Sequence, residues 1–359
     1  MRKGTRVDQG AISTGFSNYL DLLRLAAALA VFASHAAYQR FTHGAIVVPT
    51  HLAHQAVVVF FVLSGFVISH VAHEREHTLG AYAASRAARI YSVAVPALIL
   101  TIAIDVALML TGHGQQIPYY QIAQPWKYLP VFLSFTTDVW FLKIDAFSNA
   151  PYWSLCYEVW YYIAFAGIFY LRGRSRIIVV AVAMLVTGPR IWLLAPLWIA
   201  GCLLYRLSRR RLLRRQSARA LLVATILAAA AQVVFTPDRA IDHWVDAASG
   251  GWVVAHLRYS AHAAGDMMTG AIVVLNLLAA RHAALDFGRA AAPIVWGASF
   301  SFALYLLHYP LLELFAVLLP SPLAVIGAVL LAVWLLGQVT ERQKHRLRDW
   351  LRVGLVRAA

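Results

Sequence analysis

The sequence predicts an all-α, polytopic integral membrane protein of about ten transmembrane helices, with both termini cytoplasmic. Three observations carry that reading. Of 359 residues, 61% are apolar and only 13% are charged, and mean hydropathy is +0.65; soluble domains average about 45–50% apolar and about 25% charged. Apolar runs long enough to cross a bilayer recur along the whole chain. The basic residues fall between these runs with a strong bias to one side.

The runs lie near 19–38, 54–72, 92–111, 152–171, 220–236, 262–280, 295–318 and 322–339. The stretch 177–205 is interrupted by Gly188-Pro189-Arg190, which reads as two tight spans or one broken helix. Counted as two, it gives ten spans. With the N-terminus inside, 24 of the 31 basic residues fall on inner segments and six on outer ones. Arg24 is left within the first span. One span at 177–205 would instead move the arginines of "RLSRRRLLRRQSAR" outside, against the positive-inside rule.

The whole chain, 1–359, reads as one transmembrane domain. A cytoplasmic N-terminal segment covers about 1–18 and a cytoplasmic basic tail covers 340–359. The basic "MRKGTRVDQG" resembles the start of a signal peptide, but Arg24 stands where its apolar core would begin, so an uncleaved first helix is expected. The outer segments 112–151 and 237–261 have the length of a cap or re-entrant piece. The net charge of +15 is spread over short loops, which suits anionic membrane lipid and not nucleic acid. Cys156 and Cys202 both lie in apolar segments, and no structural disulfide is expected.

Several polar side chains interrupt the spans. Arg24 and His35 are eleven residues apart, on one helix face and about 16 Å apart along the axis. Arg24 reads either as a snorkelling residue paired with Asp21 or as part of a site. His35 has no interface to reach, and intramembrane ionisable groups mark sites or pathways; the other reading is a hydrogen-bonded core imidazole. Arg86 and Arg89, in "SRAARIY" of an inner loop, share a helix face. They form a phosphate clamp or ordinary positive-inside charge.

In "PYWSLCYEVWYY", Ser154 and Glu158 face the same way, and a carboxylate at that depth needs a partner or water. "SFALYLLHYPLL" places Ser301, Tyr305 and His308 on one stripe, which serves a site or helix–helix hydrogen bonding. Asp105 reads as a structural partner for a buried polar group. His70, His73 and His77 read as a solvated helix end, and no metal site is expected. No Gly-rich phosphate loop and no GxSxG elbow is present.

Taken together, "YLDLLRLAAALAVFASHA", "VVFFVLSGFVISH", "SRAARIYSVAVP", "PYWSLCYEVWYY" and "SFALYLLHYPLL" resemble the motifs of the acyltransferase 3 family, in family order. These membrane-bound enzymes O-acylate bacterial surface glycans and other acceptors. The resemblance implies His35 as the catalytic residue, Arg86 and Arg89 as ligands of the acyl-CoA donor, and Glu158 as the glutamate after Trp-Ser-Leu. It carries the last motif onto Ser301, Tyr305 and His308. The chain departs from the family pattern at Leu22 and Leu23, where a glycine is usual after the first-span aspartate. It departs again at "ERQ", 341–343, which lacks the family's proline.

The function expected from this is O-acyl transfer, in the simplest case of acetyl, from cytoplasmic acyl-CoA to a hydroxyl of a carbohydrate or glycan precursor. The enzyme would work in the bacterial inner membrane, with acetyl-CoA as substrate and no permanently bound cofactor. His35 would act as general base, Glu158 would orient or re-protonate it, and Arg24 would help hold the donor phosphates. An acyl-histidine relay remains open. The alternative is a transporter or flippase for a polar or lipid-linked solute, because a permeation path also needs polar residues along one intramembrane face.

Overall fold

The computed structural model describes residues 12–114 and 119–358, apart from the side chains at 119, 120 and 353–358. The principal helices are α1 (Thr14–Ala36), α2 (Leu52–Glu74), α3 (Leu79–Leu110), α4 (Trp153–Tyr170), α5 (Gly173–Thr187) and α6 (Ala195–Ser208). They continue with α7 (Arg215–Phe235), α8 (Pro237–Ala248), α9 (Ala263–His282), α10 (Ser301–Leu318), α11 (Pro322–Val339) and α12 (Lys344–Ala358). Among the described residues the only strand-like pairing is an isolated bridge between Ala146 and Asn149.

Among the described residues, seven helices are long and apolar enough to cross a membrane, against the ten spans expected. The remaining expected spans are occupied by α4, α5 and α6, of 18, 15 and 14 residues. At 1.5 Å per residue, α5 and α6 reach only about 20 Å against a hydrocarbon core of about 30 Å. The break between them falls at Gly188, whose φ of 73° is a conformation glycine adopts without strain.

Two expected boundaries change. The segment carrying Arg86 and Arg89 is not a loop: Thr78 caps the first turn through Oγ1, 3.2 Å from the Ala81 amide, and α3 runs 32 residues. The span expected at 295–318 is two helices, Ala291–Ala298 and α10. There Ser299 Oγ donates to the Trp296 carbonyl at 2.7 Å and Ser301 Oγ donates to Ala298 at 2.8 Å. Such local bonds compete with the helical ladder.

Around a centre formed by α1, α2, α3, α4, α6, α9 and α10, the other helices are peripheral. α5 buries only Ala183 and Thr187, and its Ile177 and Leu185 are 68% and 69% exposed, as suits a face turned to lipid. α11 buries Val325, Val329, Val333 and Gly337, a stripe at intervals of four that packs on α10. The amphipathic tail folds as α12 against α3.

Two helix backbones approach closely where α2 crosses α6. A Cβ on Gly65 would sit 1.9 Å from the Trp198 carbonyl oxygen, and one on Gly201 would sit 2.1 Å from that of Val62. Small residues that let helix backbones touch are a recurrent packing device in membranes. At one end of the bundle, the 134–149 and 237–262 segments interlock through charge. Arg258 bonds Asp138 at 3.2 Å and also Asp145. Arg190, fully buried, faces Asp138 at 3.7 Å and donates to the Leu142 and His256 carbonyls.

Candidate active site

A cavity lies among α1, α2, α3, α4 and α10. Apolar side chains of α2, among them Val57, Phe60, Phe61 and Val67, line one wall. The other walls carry three guanidiniums, Arg24, Arg86 and Arg89, and one carboxylate, Glu158. Ser154, Ser301 and Tyr305 also open onto it. The unbroken helices bring these groups together, because each presents its polar residues at intervals of three or four to the same interior.

The partners of the charged groups are specific. Arg24 Nη1 bonds Asp21 Oδ1 at 2.9 Å. Arg86 Nη2 bonds Glu76 Oε1 at 3.0 Å, while Arg86 Nε is buried without a hydrogen-bond partner. Arg89 lies over the Phe302 ring, 5.7 Å from its centroid. Glu158 Oε1 accepts from Ser64 Oγ at 2.6 Å and from the Tyr162 hydroxyl. Trp198 Nε1 donates to Ser64 Oγ at 3.2 Å. A donor left unpaired in a low-dielectric interior costs about 1–3 kcal/mol.

The second polar locus is at the far end of α1. His35 Nδ1 lies 2.8 Å from His308 Nε2, and His308 Nδ1 lies 2.7 Å from the Leu304 carbonyl oxygen. The two imidazoles are nearly parallel, with centroids 5.2 Å apart. Tyr38 and Tyr309 meet the His35 ring edge-on at 5.5 and 5.1 Å. Arg40 is close by, paired with Glu313 at 2.8 Å and bonded to the Tyr309 hydroxyl.

A buried proline fixes this end of α10. Pro310 has no N–H, so the Leu306 carbonyl loses its helical donor. Asn149 Nδ2 replaces that donor at 2.9 Å and also reaches Thr101 Oγ1 at 3.3 Å.

Seven of the nine residues singled out in the sequence therefore share one cavity: Arg24, Arg86, Arg89, Ser154, Glu158, Ser301 and Tyr305. His35 and His308 form a pair off its walls. Between the two loci, the Ser154 and Tyr305 hydroxyls meet at 2.7 Å. The expected pairing of Glu158 with His35 is not present. Glu158 is held by Ser64 and Tyr162, and His35 is held by His308. Asp105 is a structural partner, accepting from the Ser148 amide at 3.0 Å and its hydroxyl at 2.6 Å.

Ser64, Tyr162 and Trp198 were not singled out in the sequence. Ser64 had a legible signal as the lone hydroxyl in the apolar "FFVLSGF". Tyr162 and Trp198 had none among so many aromatic residues.

A helical membrane bundle that holds a charged, arginine-lined cavity against a buried histidine pair has the makings of a membrane-embedded group-transfer enzyme. A family model described as an acyltransferase domain matches residues 17–337. The chain belongs to the acyltransferase 3 family and is an acyltransferase. No curated protein and no solved structure matches it.

Proposed function

We propose that this acyltransferase moves an acyl group, in the simplest case acetyl, from cytoplasmic acyl-CoA to a hydroxyl of a carbohydrate or cell-surface glycan precursor. It does so in the bacterial cytoplasmic membrane. The observation that carries the reading is the pairing of three guanidiniums around one cavity with a histidine eleven residues further along the same helix as Arg24. Eleven residues span about 16 Å, a separation that suits a donor whose phosphates and thioester lie at opposite ends of a long pantetheine arm.

In this reading Arg24, Arg86 and Arg89 hold the donor phosphates, with Arg86 Nε supplying an unpaired N–H. Charge-assisted bonds to phosphate are the strongest available here, and the planar guanidinium fork fits phosphate oxygens. The thioester carbonyl reaches His35, which takes the proton of the acceptor hydroxyl as that oxygen attacks. The C–S bond breaks, and the proton passes to the leaving thiolate. Glu158, bonded to Ser64 and Tyr162 beside the arginines, shapes the donor cavity and does not orient His35.

The test is His35→Ala. Loss of a general base costs about 10²–10⁴-fold in rate, so the variant should purify and bind acetyl-CoA like the wild type while acyl transfer collapses. Near-wild-type transfer would overturn this mechanism. Mass spectrometry of glycans from cells with and without the gene would identify the acceptor.

A further inference from the structure

The hydrogen-bond chain through the two histidines assigns its own protons. A backbone carbonyl only accepts, so His308 Nδ1, 2.7 Å from the Leu304 oxygen, carries its hydrogen. In a neutral imidazole the other nitrogen is then the acceptor. His308 Nε2 therefore presents a lone pair to His35 Nδ1 at 2.8 Å, and Nδ1 of His35 must be the donor. That leaves the lone pair of His35 on Nε2, the nitrogen that makes no hydrogen bond within the described residues.

We propose that His308 is a positioning residue that fixes His35 as the Nδ1–H tautomer, so that Nε2 is the base that meets the acceptor hydroxyl. This rests on the reading of His35 as general base. The arrangement follows the logic of other activated bases, which are oriented by a third group, but that group is here a neutral imidazole anchored to a carbonyl. During transfer, the acceptor proton moves to His35 Nε2 as the acceptor oxygen bonds the carbonyl carbon. The C–S bond breaks, and the same proton then passes from Nε2 to the thiolate sulfur. No proton crosses from His35 to His308, which is restored unchanged. The charged and titratable groups around the pair are Arg40, with its partner Glu313, and the Tyr38 and Tyr309 hydroxyls.

His308 is fully buried, so a loss of activity in one variant would not separate positioning from folding. Two amides do. Glutamine places its carbonyl oxygen where His308 Nε2 stands and accepts from His35; asparagine places its amide where Nδ1 stands and keeps only the bond to Leu304. The assay is thiol release from acetyl-CoA, to water and to p-nitrophenyl glycosides, with His308→Gln, His308→Asn, His308→Ala and His35→Ala purified in parallel.

His308→Gln should keep kcat within about tenfold of wild type. His308→Asn and His308→Ala should lose about 100-fold or more in kcat, with KM for acetyl-CoA unchanged. If asparagine matches or exceeds glutamine, or all three His308 variants are equal, His308 does not act through His35 and the proposal is overturned. If His35→Ala itself turns over normally, the base is elsewhere, and the functional reading and this inference fall together.

Discussion

The contact between α2 and α6 gives the sharpest test of the packing. Gly65 and Gly201 are reciprocal: a methyl on either would meet a carbonyl oxygen of the other helix, at 1.9 and 2.1 Å. Ordinary C···O contact begins at about 3.3 Å, so an alanine at Gly65 must push the helices apart by more than 1 Å. The obstructing atom is backbone and cannot swing away. A gap of that size forfeits a quarter to a half of each affected contact, roughly 0.05 kcal/mol apiece and about 2 kcal/mol over a few tens of atom pairs. Overpacking strain adds about 1–3 kcal/mol.

Gly65→Ala should therefore cost roughly 3–5 kcal/mol, visible as a fall of about 4–7 °C in Tm of the detergent-purified protein. Gly201→Ala should cost a similar amount. The double variant should cost less than the sum, because one separation of the helices accommodates both methyls. The same opening loosens the Trp198–Ser64 bond behind Glu158, so donor affinity should fall in step. A Gly65→Ala protein with unchanged Tm, or strict additivity in the double variant, would refute this account of the interface.

Replacing Arg89 with alanine should weaken acetyl-CoA binding more than replacing Arg86, because Glu76 already engages the Arg86 fork at 3.0 Å. Each charge-assisted contact is worth about 1.5–3 kcal/mol, and calorimetric titration resolves that difference; equal, negligible effects would remove both from the donor site. Asn149→Ala leaves the Leu306 carbonyl, freed by Pro310, without a donor. The expected loss is about 1–3 kcal/mol of stability, read by thermal unfolding; an unchanged Tm would mean that water or another donor satisfies it.

The membrane class and most of the helices were legible in the sequence, because bilayer residence is a local property: a run of apolar side chains of spanning length suffices. The cavity was legible in part for a related reason. Arg24, Arg86, Arg89 and Glu158 are costly in apolar surroundings, so their presence alone announced a polar interior. The break at Gly188 was equally local. Helix continuity through Arg86 and the division at Ser299 were less so, because each turned on a short polar stretch that suits helix and loop alike.

Partnership was decided only by the tertiary structure. Glu158 was matched in sequence with His35, yet the fold gives it Ser64, 94 residues away, and gives His35 a partner 273 residues away. Periodicity states which residues share a face of one helix, but not which helix that face meets. That depends on where backbones can approach, as at Gly65 and Gly201, and on which buried donors and acceptors must be satisfied together. A histidine on the first helix acquired its tautomer from a carbonyl on the tenth, through one intervening imidazole.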